Sequence, residues 1–242
     1  MTRQETINPE IRAGVRRWLI KGYIGVAMTA LTLFLPAGRW DWINGWAYVG
    51  LWFLWHTAMA ITLIPTHPGL IAERAKRQKG DKPWDVWMMS LYGLITLAYG
   101  IVAGFDVRYG WSGGADGAGP FPLWAQRLGG LLVAAGFAVV VWAMHANAYF
   151  STIVRIQDDR GHTVATEGPY RIVRHPGYTG QLLNNIGTPL LLNSLWTLPL
   201  AVAAIVIFFI RTALEDQTLQ DELPGYHDYT RQTRYRLIPG IW

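Results

Sequence analysis

Four long apolar runs constrain this chain more than any other feature. They cover residues 18–35, 46–64, 86–105 and 123–149. Each approaches or exceeds the roughly 17–25 residues that a helix needs to cross a hydrocarbon core. Lipid offers the backbone no hydrogen-bond partner, so runs of this length read as membrane helices. Pro36 marks the end of the first run, and Pro65 and Pro68 stop the second. Trp40, Trp42 and Trp46 sit at the junction between them, like an interfacial aromatic belt. Composition agrees: 51% of the residues are hydrophobic and only 15% charged, against about 25% in ordinary soluble domains.

The charged residues give an orientation. Four stretches, 1–21, 65–86, 148–181 and 211–242, hold 18 of the Lys and Arg residues, and the connections on the other side hold 3, Arg39, Arg108 and Arg127. The positive-inside rule then places both termini and these stretches in the cytoplasm. The net charge of +5 does not indicate a nucleic-acid partner, because the basic residues lie between apolar runs. Glu5, Glu10, Arg3 and Arg12 precede any apolar run, which is not the layout of a cleaved signal peptide. With no Cys there is no disulfide, thiolate metal site or Cys nucleophile.

Residues 181–192 and 195–210 form two shorter apolar arms around the turn signal Asn193-Ser194. As helices they would measure roughly 18–24 Å, short of a core about 30 Å thick. They read as a hairpin that enters the bilayer and returns; the alternative is two short spans in a thinned membrane. The expected fold is therefore an all-α integral membrane protein with four transmembrane helices, a short C-terminal helical hairpin and a cytoplasmic polar segment. The division falls at 1–150 and 151–242. Gly129, Gly130 and Gly136 would let the fourth helix pack closely on a neighbour. A Gly-rich loop over 111–122 reads as flexible.

Two polar clusters carry the chemistry. In 162–180, Pro169 and Pro176 stiffen a run of hydrogen-bonding side chains: His162, Tyr170, Arg171, Arg174, His175 and Tyr178. The second cluster, Arg211 to Leu219, follows directly on an apolar run. Arg211 and Glu215 are four apart and share a helix face, and Asp216 adds another carboxylate. Ionisable groups at the hydrocarbon edge are costly and more often functional than decorative. The six His residues have no metal-ligand spacing, and P-loop, Gly-x-Gly-x-x-Gly, His-Glu-x-x-His and Gly-x-Ser-x-Gly motifs are absent.

Both clusters resemble the isoprenylcysteine carboxyl methyltransferase family, whose superfamily includes phospholipid N-methyltransferases. The resemblance rests on His162-x-Val-x-Thr-x-Gly168-Pro-Tyr170, on Arg174-His175-Pro176-x-Tyr178-x-Gly180, and on Arg211-x-x-x-Glu215-Asp216-x-x-Leu219. Pro224-Gly225-Tyr226-x-x-Tyr229 and Pro239 extend it. Upstream, Pro68-Gly-Leu-x-Ala-Glu73-Arg74 and Lys82-Pro-Trp84-Asp85 look like the bacterial branch, which implies the bacterial inner membrane.

The resemblance implies an S-adenosylmethionine-dependent methyltransferase acting on a lipophilic small molecule or lipid. It implies cofactor contacts from Gln157, His162, Thr163, Val164, Ala165, Tyr170, His175, Pro176, Gly177, Tyr178 and Glu215. Arg211 is tied by it to substrate and catalysis, with Glu215 as the other catalytic candidate. Asn147, Asn184 and Asn185 are candidates for the acceptor path. Asp216 stands where a second Glu is usual. An acceptor carboxylate needs no base and suits an arginine fork, whereas an amine must lose a proton. A nicotinamide-dependent reductase of the sterol-reductase type and a non-enzymatic membrane protein are the alternatives.

Overall fold

The computed structural model describes residues 8–113 and 119–242, and every regular element among them is helical. The elements are α1 (Pro9–Ala37), α2 (Ile43–Thr66), α3 (Pro68–Glu73), α4 (Pro83–Tyr109), α5 (Leu123–Ala146), α6 (Pro176–Leu192), α7 (Leu198–Glu222) and α8 (Tyr226–Gln232). Helices α1, α4 and α5 and the segment Leu195–Glu222 are each long and apolar enough to cross a membrane. Helix α2 contributes 24 more residues without a charged side chain. The protein is an all-α integral membrane protein.

Helix α1 starts earlier than hydropathy suggests. The Asn8 side chain accepts a hydrogen bond from the Ile11 amide at 2.8 Å, and Pro9 supplies a first-turn φ that suits a helix. The polar residues 9–16 are thus continuous with the first apolar run, while residues 1–7 lie outside the described residues. Pro36 is accommodated in the last turn. The helix ends at Ala37, where Gly38 takes a left-handed φ of 66°. Part of the loop expected to be flexible, 114–118, is also outside the described residues.

The second arm of the expected hairpin differs most. It does not stop near Ile210 but runs as one helix to Glu222. Apolarity ends at the membrane boundary, and helical hydrogen bonding does not. Arg211, Thr212 and Asp216 are buried against neighbouring segments, so the polar turns of α7 are held by packing. Helix α6 spans 17 residues and turns through Asn193, a residue in the left-handed region at φ 56°.

The most extensive helix pair is α5 with α6, which crosses the division at residue 150. Glycines permit it. A Cβ added at Gly129 would lie 2.5 Å from the Leu191 amide and 2.7 Å from the Gly187 carbonyl oxygen. One added at Gly187 would lie 2.5 Å from the Gly129 carbonyl oxygen, and one at Gly180 would lie 2.5 Å from that of Gly136. This small-residue seam replaces the hydrophobic driving force that helices lack in lipid. Around it α1, α2, α5 and α6 bury Leu33, Phe34, Val49, Phe137 and Leu192.

The seam predicts opposite outcomes at adjacent positions. Gly129→Ala should destabilise by about 1–3 kcal/mol through overpacking against backbone. Gly130→Ala, whose Cβ would meet only the Leu191 side chain at 3.6 Å, should not. Melting temperatures of the purified protein in detergent distinguish the two.

Candidate functional site

The polar segment 147–175 contains no long helix and is fixed instead by buried charges. Asp216, fully buried in α7, gathers most of them. Arg174 reaches both its carboxylate oxygens, Nε to Oδ1 at 2.8 Å and Nη2 to Oδ2 at 3.0 Å. Arg236 donates to Oδ2 at 2.9 Å, Tyr226 donates to Oδ1 at 3.0 Å, and the His175 ring nitrogen stands 3.2 Å from Oδ1. The remaining Arg174 nitrogen binds the carbonyls of Thr233 and Arg234. One carboxylate therefore joins the 162–180 stretch, α7, α8 and the C-terminal tail. Backbone pairing of Arg174 with Tyr235 and of His175 with Arg236, both at 2.9 Å, completes the join.

A second buried carboxylate, Asp85, sits in the first turn of α4. It takes the Arg211 fork, Nε at 2.6 Å and Nη2 at 2.8 Å, and accepts the Val154 amide at 2.6 Å. Arg211 also donates to the Thr152 carbonyl at 2.8 Å, and its guanidinium lies 4.7 Å from the Tyr178 ring centroid. Arg211 and Glu215 share a helix face, but the ion pair that Arg211 makes runs between α7 and α4. Glu215 instead accepts the Tyr178 hydroxyl. A third pair, Arg155 with Glu73, is reinforced by Asp159 at 3.0 Å.

These anchors enclose a cleft of ≈ 710 Å³ at the polar end of the bundle. His162, Thr163, Val164 and Ala165 form one wall. Tyr170, His175, Gly177 and Tyr178 form the second, with the His175 and Tyr178 rings stacked 6° from parallel. Glu215, Leu219, Leu223, Tyr226 and Tyr229 close the third side.

Two of the eleven candidate cofactor residues do not line the cleft. Gln157 is fully buried behind the wall, where its amide nitrogen donates to the Tyr149 carbonyl at 2.6 Å and its amide oxygen accepts from Arg160 at 2.6 Å. Pro176 is buried in the first turn of α6. Among the acceptor candidates, Asn147 lines the cleft and donates to the Tyr170 hydroxyl at 3.2 Å. Asn184 and Asn185 face a separate space between the helices, and Asn185 accepts the Tyr99 hydroxyl there at 3.1 Å.

His162 is held neutral. Burial, then the charges of Arg155 and Arg160, lower its pKa to about 4. The Gln157 amide donates to its Nδ1 at 3.3 Å, which leaves Nε2 as the protonated nitrogen. Burial pushes the Tyr229 hydroxyl up to about 12 and raises Tyr170 as well, so both remain hydrogen-bond donors at neutral pH.

Sequence reasoning missed Asp85 as a partner of Arg211, and it missed Phe150, Leu219 and Leu223 as walls. The signal for Asp85 was a carboxylate at the mouth of an apolar run. The apolar walls have no signal outside three dimensions.

The stretch from α5 to the end of α7, residues 124–223, matches the phospholipid methyltransferase family. Curated relatives match stretches of comparable length. Protein-S-isoprenylcysteine O-methyltransferase B of Arabidopsis thaliana is 33% identical over 76 residues, 31% of this chain and 39% of the relative. A probable protein-S-isoprenylcysteine O-methyltransferase of Oryza sativa subsp. indica is 35% identical over 97 residues, 40% and 51%. Over those stretches the chain resembles the isoprenylcysteine carboxyl methyltransferase family. The chain spans about half the length, or less, of the curated relatives it matches. The stretch shared with the family contributes Glu215, Tyr178 and most of the cleft wall, whereas Asp85 and Arg74 lie outside it.

Two predictions follow from the charges. Asp85→Asn should cost roughly 3–5 kcal/mol of stability, because it breaks a buried pair and strands Arg211; denaturant titration in mixed micelles measures this. His162 binds its proton at about pH 6.5 when unfolded and about pH 4 when folded. Its contribution to stability is intact above pH 6.5 and is lost as pH falls toward 4. Wild type and His162→Phe should therefore run parallel above pH 6.5, with the wild type losing ground below it.

Proposed function

We propose that the protein is an integral-membrane methyltransferase that uses S-adenosylmethionine to methylate a lipophilic acceptor at the cytoplasmic face. Two things support this reading: the match of residues 124–223 to a methyltransferase family, together with methyltransferase relatives, and a cleft whose chemistry suits the cofactor. Glu215 offers a carboxylate to an ammonium group. Tyr178, His175 and Tyr170 offer ring faces to a sulfonium cation. Val164, Ala165, Leu219 and Leu223 offer an apolar slot to an adenine ring, and His162 Nε2 offers a donor. The cationic lining residues Arg155 and Arg174 are already paired with carboxylates. Among the described lining residues, that arrangement leaves no uncommitted arginine for the 2′-phosphate of NADPH, the cofactor of the rival reading.

The cofactor supplies an activated methyl group. The protein has to hold acceptor and donor in line and keep water away, and such positioning accounts for much of the rate in reactions of this type. Tyr178 fixes Glu215 by donating to it, and Arg211 fixes Tyr178 by lying over its ring. The Arg211 fork is occupied by Asp85, so Arg211 acts on this reading as a positioning residue. Asn147 orients the Tyr170 hydroxyl at the opposite wall. An acceptor carboxylate needs no base. With an amine acceptor, Glu215 is the carboxylate at hand to take the proton.

Calorimetry with S-adenosylhomocysteine tests the reading. The wild type should bind it, and Glu215→Gln should weaken binding by roughly 10–100-fold, as for loss of a charged hydrogen-bond partner. Binding of NADPH with no response to S-adenosylhomocysteine overturns the proposal.

A further inference from the structure

A second cleft, ≈ 660 Å³, opens between α1, the end of α3 and residues 151–153. Four cations face it, Lys21, Arg74, Lys76 and Arg77, against two acids, Glu73 and Asp81. Both acids are engaged: Glu73 holds Arg155, and Asp81 accepts the Gln78 amide at 3.0 Å. The guanidiniums of Arg155, Arg174, Arg211 and Arg236 each meet a carboxylate. Arg74 meets none among the described residues. Its Nη1 donates to the Phe150 carbonyl at 3.1 Å, and its guanidinium lies 5.3 Å from the Phe150 ring centroid. The other edge of the fork, Nε and Nη2, has no hydrogen-bond partner among the described residues. Burial and the positive charge of Arg211 push the Arg74 pKa down.

An unpaired arginine edge in a cationic cleft fits an anion with two oxygens, a carboxylate or a phosphate. The neighbouring surface adds a second requirement. From Lys21 an apolar stripe runs down α1 at helical spacing: Ile24, Met28, Leu31 and Leu35, all exposed. An anionic group above such a stripe belongs on an amphiphile.

We propose that this cleft binds the anionic head group of a membrane amphiphile, with Arg74 as its central ligand and the tail lying along α1. The site stands on its own residues and does not depend on the cofactor reading. Phe150 and Ser151 separate it from the first cleft, Ser151 lining both. A ligand here would therefore lie beside the chemistry.

Native mass spectrometry of the full chain in detergent tests the site, with dioleoylphosphatidylglycerol, oleate and dioleoylphosphatidylcholine as probes. The wild type should retain at least one anionic probe about tenfold better than phosphatidylcholine. Arg74→Ala should abolish that preference, and Arg74→Lys should keep part of it. Loss confined to oleate assigns the site to a carboxylate ligand, and loss confined to phosphatidylglycerol assigns it to a phospholipid head group. Melting temperature checks folding. Should Arg74→Ala fail to fold, Lys21→Ala carries the test, because Lys21 is exposed and, among the described residues, its ammonium binds only the Ala75 carbonyl. Equal retention of all probes by the wild type overturns the proposal, as does an unchanged preference in the folded variants. S-adenosylhomocysteine calorimetry reads the first cleft separately, so either proposal can fail alone.

Discussion

The functional end of this protein depends on one buried carboxylate. Asp216 carries no solvent exposure and collects Arg174, Arg236, His175 and Tyr226. A buried charge survives only when its lone pairs are met, and here they are met from three chain segments distant in sequence. Loops without regular hydrogen-bond ladders need such external anchors, and 162–175 is a loop of this kind. Without Asp216 the wall bearing His175 would be tied to α7 chiefly through the Tyr178–Glu215 hydrogen bond, one residue away. The shorter side chain at this position still reaches all of its partners.

The second anchor works across the bilayer boundary. Asp85 opens α4 and Arg211 lies three turns into α7, and their forked pair sets the level at which the two helices meet. The tight glycine seam of α5 and α6 does the same for the other half of the bundle. The cleft sits where these two constraints converge, with α6 and α7 each contributing side chains to it.

Much of this was legible in the sequence because it rests on local rules. Apolar run length located α1, α4 and α5 as membrane helices, and Gly129 and Gly136 marked a close helix contact. The two motifs marked the segments that face each other. What escaped rests on non-local pairing. The spacing of Arg211 and Glu215 suggested a bond along one helix, but Asp85, 126 residues away, offered a fully buried fork. The hairpin arm appeared short because hydropathy ends at Ile210, whereas burial of Arg211 and Asp216 carries the helix onward. Gln157 has the chemistry of a ligand contact but is consumed by Tyr149 and Arg160.

The pairing of residues 174–175 with 235–236 bears on the order of assembly. During synthesis all the long helices emerge before Arg236 does. The bundle can therefore insert while Asp216 still lacks one of its partners and the cleft wall has no backbone to lie against. Closing the cleft therefore requires the tail to return to residues 174–175, a step that inserting the helices does not itself require.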